Sequence, residues 1–94
     1  MAMTENFDSL SEKAKDYHRA IEALREEVEA TDLYLQRAEK TKSEELKVIF
    51  LHNAKEEKEH AAMLLEWLRK QDKELENELK EYLFKDGEVE TTHE

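Results

Sequence analysis

The sequence predicts an all-α fold, an antiparallel two-helix hairpin followed by a short C-terminal helix, and three observations carry that prediction. The 94 residues include no proline and a single glycine, Gly87, so the chain lacks the turn material that a strand-rich fold needs. Charged residues make up 43% of it, a composition suited to long helices with a solvated face. Apolar residues recur at steps of three and four along two long stretches, and the two stretches are out of phase with each other.

Residues 1–8 show no period and are expected to form a flexible arm. Ser9 with Glu12 three residues later fits a capping box, so helix 1 is expected over about residues 9–40. Its seam runs through Leu10, Ala14, Tyr17, Ile21, Leu24, Val28, Thr31 and Leu35, and the spacing predicts a buried stripe. Glu27 lies about 60° from Leu24 on a helical wheel, at the edge of that stripe, and is the acid of helix 1 placed to look inward. A carboxylate at such a margin can also simply snorkel to water. Glu22, Glu26 and Glu29 fall towards the other side.

No glycine or proline separates the first stretch from the second. Extending the first seam would nevertheless bury Lys42, Glu45, His52, Glu56 and Glu59, at a cost no helix would bear, so the helix is expected to break. Thr41 with Glu44 forms a second capping box there, with Ser43 as the alternative cap, and helix 2 is expected over about residues 43–71. A short loop implies an antiparallel hairpin. The seam of helix 2 is Leu46, Phe50, Asn53, Glu57, His60, Leu64 and Leu68. Three consecutive positions are polar where the period asks for Leu or Ile. A salt bridge, a shared proton or a metal ion could satisfy them. Asp72 is placed to cap a third helix over about residues 73–84, carrying Leu75, Leu79, Tyr82, Leu83 and Phe84. The helical domain thus spans residues 9–86, and residues 87–94 read as a disordered acidic tail in which His93 is incidental.

Composition closes off other classes. A net charge of −10 excludes a nucleic-acid partner of the usual kind, because Lys and Arg are interleaved with more numerous acids. No apolar run reaches membrane-spanning length, and the N-terminus has no basic and apolar signal pattern, so a cytoplasmic chain with no membrane partner is expected. The absence of cysteine removes disulfides, thiolate catalysis and zinc ribbons, and leaves Glu, Asp and His as metal ligands. A domain this small buries only roughly 60–65% of its unfolded surface, which makes a partner expected.

Glu57 and His60 stand three apart, so both side chains leave one helix face and can hold one metal ion. Di-iron carboxylate centres in four-helix bundles take a Glu from each of two helices and a Glu-x-x-His pair from each of the other two. This chain carries half of that set, and a two-fold homodimer would complete it with four carboxylates and two imidazoles. Four carboxylates balance two divalent cations, so the assembled site would be neutral. Such ligation suits Fe or Mn, with Zn as an inert competitor, and Fe²⁺ held there can pass electrons to O₂. The role that follows is ferroxidase.

The segments Tyr17-His18-Arg19-Ala20-Ile21, Glu26-Glu27-Val28-Glu29-Ala30 followed by Asp32 and Tyr34, His52-Asn53, Glu56 to Met63, Glu66-Trp67-Leu68-Arg69 and Tyr82-Leu83-Phe84 resemble the encapsulated ferritins. The resemblance implies a half-ferritin hairpin that dimerises around a di-iron site, dimers arranged in an annular decamer, and a ferroxidase feeding iron mineral storage inside an encapsulin shell in the cytoplasm. It matches Glu27, Glu57 and His60 to the family's iron ligands, Glu26 and Glu29 to acids of an outer metal-entrance site, and Tyr34 to an aromatic near the centre. Leu33 departs from it, standing where a family member has tryptophan. No apolar docking peptide is legible after Phe84, so delivery to a shell is expected to use a fusion, a further C-terminal piece or another route. Two other readings compete: a metal-free structural dimeric hairpin pairing Glu57 with His60 across the interface, and a rubrerythrin-like peroxidase, which the lack of cysteine weakens.

Overall fold

The computed structural model describes residues 3–91. A 3₁₀ turn at Phe7–Ser9 precedes α1 (Glu12–Lys40), α2 (Glu44–Gln71) and α3 (Lys73–Tyr82), and there is no strand among the described residues. Among the described residues no helix is long and apolar enough to cross a membrane. The expected readings of Met1, Ala2 and the tail end that includes His93 lie outside the described residues.

Where a loose arm is expected, Asn6 caps a tight turn by accepting from the Asp8 N–H at 2.9 Å. Phe7 then folds back on α1, its ring 5.9 Å from that of His18, with Lys15 and Arg19 cations 5.6 and 5.1 Å from its centroid. These contacts draw residues 7–9 into the turn, so Ser9 is not the cap of α1: its hydroxyl donates to the Asn6 carbonyl at 2.6 Å. Ser11 caps the helix instead, accepting from the Ala14 N–H at 3.1 Å.

The connection to α2 takes three residues. Thr41 closes α1 with its N–H on the Arg37 carbonyl, its own hydroxyl accepts from the Ser43 N–H at 3.2 Å, and Ser43 caps α2 by accepting from Leu46 N–H at 3.2 Å. The cap is therefore Ser43, with Thr41 spent on the turn. Tyr17 reaching Asp72, and Tyr34 lying against Phe50, fix the two helices as antiparallel.

Alanines dominate what is buried between them. Ala20, Ala38, Ala54 and Leu68 form the core, with Leu24, Thr31, Tyr34, Phe50, Ala61 and Leu64 half-buried around it. Small residues at a crossing let helix axes approach closely. The expected buried stripe of α1 is divided by this arrangement. Ile21, Val28 and Leu35, spaced seven apart, stay exposed, Val28 at 57%, as do Ile49, Met63 and Trp67 on α2. One neighbour covers one side of a helix, and these residues lie past the edge of what the facing helix covers.

Asp72 is the only residue between α2 and α3, and its carboxylate caps α3 by accepting from Leu75 N–H at 3.0 Å. The third helix ends at Tyr82, short of the expected residue 84. Phe84 has φ +60° and a fully exposed side chain, a left-handed backbone that stops a helix.

Candidate metal centre

Midway along the hairpin, α1 and α2 present acids to each other. Glu27 follows Ala20 and Leu24 on the covered face of α1, and Glu57 stands between Ala54 and Ala61 on that of α2. The alanines leave room for longer side chains to fold into the seam. His60, one turn beyond Glu57, turns its Nδ1 between the two acids, 3.4 Å from Glu27 Oε2 and 3.6 Å from Glu57 Oε2. One ligating atom from each residue lies within 4.8 Å of the others, and this is the one such Asp/Glu/His group among the described residues.

The separations decide what can fill the space. At 3.4 and 3.6 Å the imidazole is past good hydrogen-bond distance from both carboxylates. Glu27 Oε2 is buried and has no hydrogen-bond partner. A buried carboxylate oxygen without a donor is costly, and a cation relieves it. Atoms bound to one metal at about 2.1 Å in a tetrahedral or octahedral shell stand about 3.0–3.4 Å apart, and the imidazole stands close to that distance from each acid. The donor set of two carboxylate oxygens and one imidazole nitrogen suits Fe²⁺, Mn²⁺ or Zn²⁺. The shell is open on one side: the His60 side chain is 47% exposed, against 25% for Glu27 and 23% for Glu57. Val28, next to Glu27 in the chain, and Met63, three residues beyond His60, are exposed apolar residues.

Glu26 and Glu29 lie outside the cluster. Glu29 pairs with Arg25 at 3.0 Å, and Arg25 holds Glu22 at 2.6 Å on its other side. The hydrogen bond from Arg25 keeps the Glu22 carboxyl below the usual range. Glu26 is exposed and lines a surface hollow with Phe7, His18, Arg19 and Glu22. Tyr34 is two turns along α1 from Glu27, about 10 Å by helix rise, where its ring meets Phe50 at 6.2 Å and takes the Arg37 guanidinium at 5.4 Å. Arg25 is absent from the sequence-based site, although its spacing of three from Glu22 and four from Glu29 is the ordinary spacing of helical ion pairs.

A family model described as EncFtn-like matches residues 2–86. An encapsulated ferritin-like protein of Rhodospirillum rubrum is 46% identical over 85 residues, which are 90% of this chain and 61% of that protein, so the chain spans about three fifths of that relative's length. A ferritin-like protein of Thermotoga maritima is 46% identical over 82 residues, covering 87% of this chain and 72% of the relative. The crystal structure of a protein from Nitrosomonas europaea superposes with a TM-score of 0.91 at 52% identity, over 95% of this chain and 98% of that one. By the extent of the matched model and the identity of these relatives, the chain belongs to the EncFtn-like family, that of the encapsulated ferritins.

Proposed function

We propose that this protein is a ferroxidase whose iron site forms where two copies meet, Glu27, Glu57 and His60 of each copy supplying half of a di-iron centre. The observation that carries the reading is the buried, unpartnered Glu27 Oε2 facing Glu57 and His60. Fe²⁺ is the substrate: three ligands from each of two chains would hold a pair of ions close enough to deliver two electrons to O₂. The carboxylates favour the ferric product, because added positive charge is stabilised by negative ligands. Two-fold pairing is supported by the apolar residues the hairpin leaves open. Ile21, Val28 and Leu35 recur every seven residues, the spacing that lets one helix seam meet another, and Glu27 lies on the same helix beside Val28. The same reading has the dimers arranged in an annular decamer that works inside an encapsulin shell, where the mineral accumulates; the family and the printed name of the Rhodospirillum rubrum relative support the shell. Within this reading Glu26 serves as an outer acid on the metal's path. Glu29 does so when Arg25 releases it, and Tyr34 steadies the hairpin through Phe50 near the centre.

The test is iron oxidation. Protein loaded with Fe²⁺ without air and then exposed to it is expected to show a rapid near-ultraviolet absorbance rise, lost in Glu27→Ala and in His60→Ala. An unchanged rate in either variant would end the proposal. Sizing chromatography with chelator and with Fe²⁺ tests the pairing, and metal is expected to shift the chain to larger species.

A further inference from the structure

Three helices meet at one residue. Asp72 ends α2 with its N–H on the Arg69 carbonyl at 3.3 Å. Its side chain caps α3, and the Tyr17 hydroxyl of α1 donates to its second carboxylate oxygen at 2.6 Å. Its backbone, at φ −137° and ψ 101°, leaves helical geometry at the single residue that separates α2 from α3. Four residues further on, Glu76 receives Arg69 of α2, and Lys73 and Lys80 of α3 bracket it at 2.7 and 3.6 Å. Arg69 is itself steadied by Glu66, which accepts its Nη2 at 2.8 Å. The Glu76 side chain is only 16% exposed, so this is a network at a partly covered junction rather than a loose surface pair. The apolar holdings of α3 are slight: Leu75 and Leu79 are half-buried, and an open cleft of about 490 Å³ lies between α2 and α3, lined by Ala62, Leu65, Leu79 and Leu83 among others.

We propose that α3 is a clamped arm, set at its angle to the hairpin by two polar clasps on either side of the Asp72 hinge: Tyr17 to Asp72 from α1, and Arg69 to Glu76 from α2. Apolar packing alone, with an open cleft beneath the helix, does not select one angle. The clasps do, because a short hydrogen bond to an ionised carboxylate and an arginine–carboxylate pair are both directional. Their release lets α3 swing and changes the width of the cleft.

The groups around the clasps give the release a pH dependence. Asp72 faces Tyr17 and Lys13 from α1 and the Leu75 and Glu74 N–H groups of α3, while His18, Gln71 and Lys73 line the same hollow. Glu76 faces Arg69 of α2 and Lys73 and Lys80 of α3, and it interacts with the like charge of Glu66 on α2. The Tyr17 hydroxyl lowers the Asp72 carboxyl, and Lys73 leads in lowering that of Glu76. Carboxyls held low keep their clasps above the ordinary carboxylate range and lose them as pH falls through the lowered values. Tyr17 is raised by the same hydrogen bond, so its clasp also persists to the alkaline side of an ordinary tyrosine.

The chain has no cysteine, so spin labels at Glu45→Cys and Glu78→Cys report the angle of α3 against α2 without further change. Labelled chain is diluted in unlabelled chain, and the distance distribution is measured at neutral pH and in acid, with helix content followed by circular dichroism. One narrow distance is expected at neutral pH, lost in acid before the helices melt. It is also expected to be lost at neutral pH in Tyr17→Phe combined with Glu76→Gln, with helix content unchanged. Tyr17→Phe alone, which keeps the ring and removes only the hydroxyl, is expected to broaden it in part. A double variant that keeps the narrow distance at neutral pH overturns the proposal, as does a wild-type distance that persists in acid until the helices melt.

Discussion

Replacing Glu27 by methionine should stabilise the metal-free protein while removing its response to metal. The substitution fills the same seam between Ala20, Leu24 and Thr31 with an unbranched apolar chain, and takes away the buried oxygen that has no partner. Leaving such a group unsatisfied costs about 1–3 kcal/mol, and the 25% exposure of the side chain argues for the lower part, about 1–2 kcal/mol. At about 4–8 °C per kcal/mol for a domain of this size, the melting temperature in chelator should rise by about 5–15 °C. Metal should act on only one of the two proteins. Mn²⁺ at a hundred times its dissociation constant should stabilise the wild type by about 2.7 kcal/mol and the variant by nothing measurable. Thermal unfolding followed by circular dichroism, with chelator and with Mn²⁺, gives all four values. A variant that melts at or below the wild type in chelator, or that gains as much from Mn²⁺, would show that Glu27 is a satisfied core residue and not a ligand held ready.

Other outcomes are as specific. Val28→Glu puts a charge on the uncovered stripe of Ile21, Val28 and Leu35; it should shift the chain towards monomer in sedimentation velocity and abolish iron oxidation without reducing helix content. Leu68→Ala empties the largest fully buried side-chain site and should cost about 2–5 kcal/mol in urea unfolding, whatever the metal. Ser43→Ala removes the acceptor of the Leu46 N–H and should cost about 1 kcal/mol, whereas Thr41→Val should cost less, since Thr41 caps nothing in α2. Asp72 and Glu76 have folded carboxyls held below 3.8 and 4.5, their ordinary values, so the stability they confer is present above those values and should disappear as pH falls through the lowered ones. Asp72→Asn should flatten the acid limb of a plot of urea midpoint against pH, and an unchanged limb would contradict it.

The three candidate ligands are legible in the residues themselves because each breaks a local rule: Glu57 and His60 occupy seam positions that ask for Leu, and Glu27 sits at the stripe's edge. Periodicity recognises such violations well. It is poorer at telling which of two adjoining apolar faces the chain covers for itself, so Val28 reads as buried although more than half of it stays exposed. Caps show a similar limit. Ser9 and Ser11 both have the right chemistry, and the choice between them was made by Phe7 meeting Lys15, His18 and Arg19. A wheel also gives direction without a partner: it turns Glu29 outward, where the residue is exposed, but the pairing with Arg25 is seen only in the side-chain geometry. Asp72 as a cap is written in its neighbours. Its hold on Tyr17, 55 residues away, is not.

An open coordination shell beside an uncovered apolar stripe has a further consequence under the proposed pairing. A site completed by a second copy is a bimolecular product, so the number of working centres follows the abundance of the chain more steeply than the first power wherever dimers are dilute. Scarce chain would bind and oxidise little iron, whereas crowding chains together would switch the chemistry on. Confinement in a small volume would then act as a catalyst's on-switch as well as a store for the product. It would also make every substitution in the shell a double one, since each variant chain meets its own copy across the axis. Separating the two metal positions would require mixed dimers in which one partner keeps Glu27, Glu57 and His60 and the other does not.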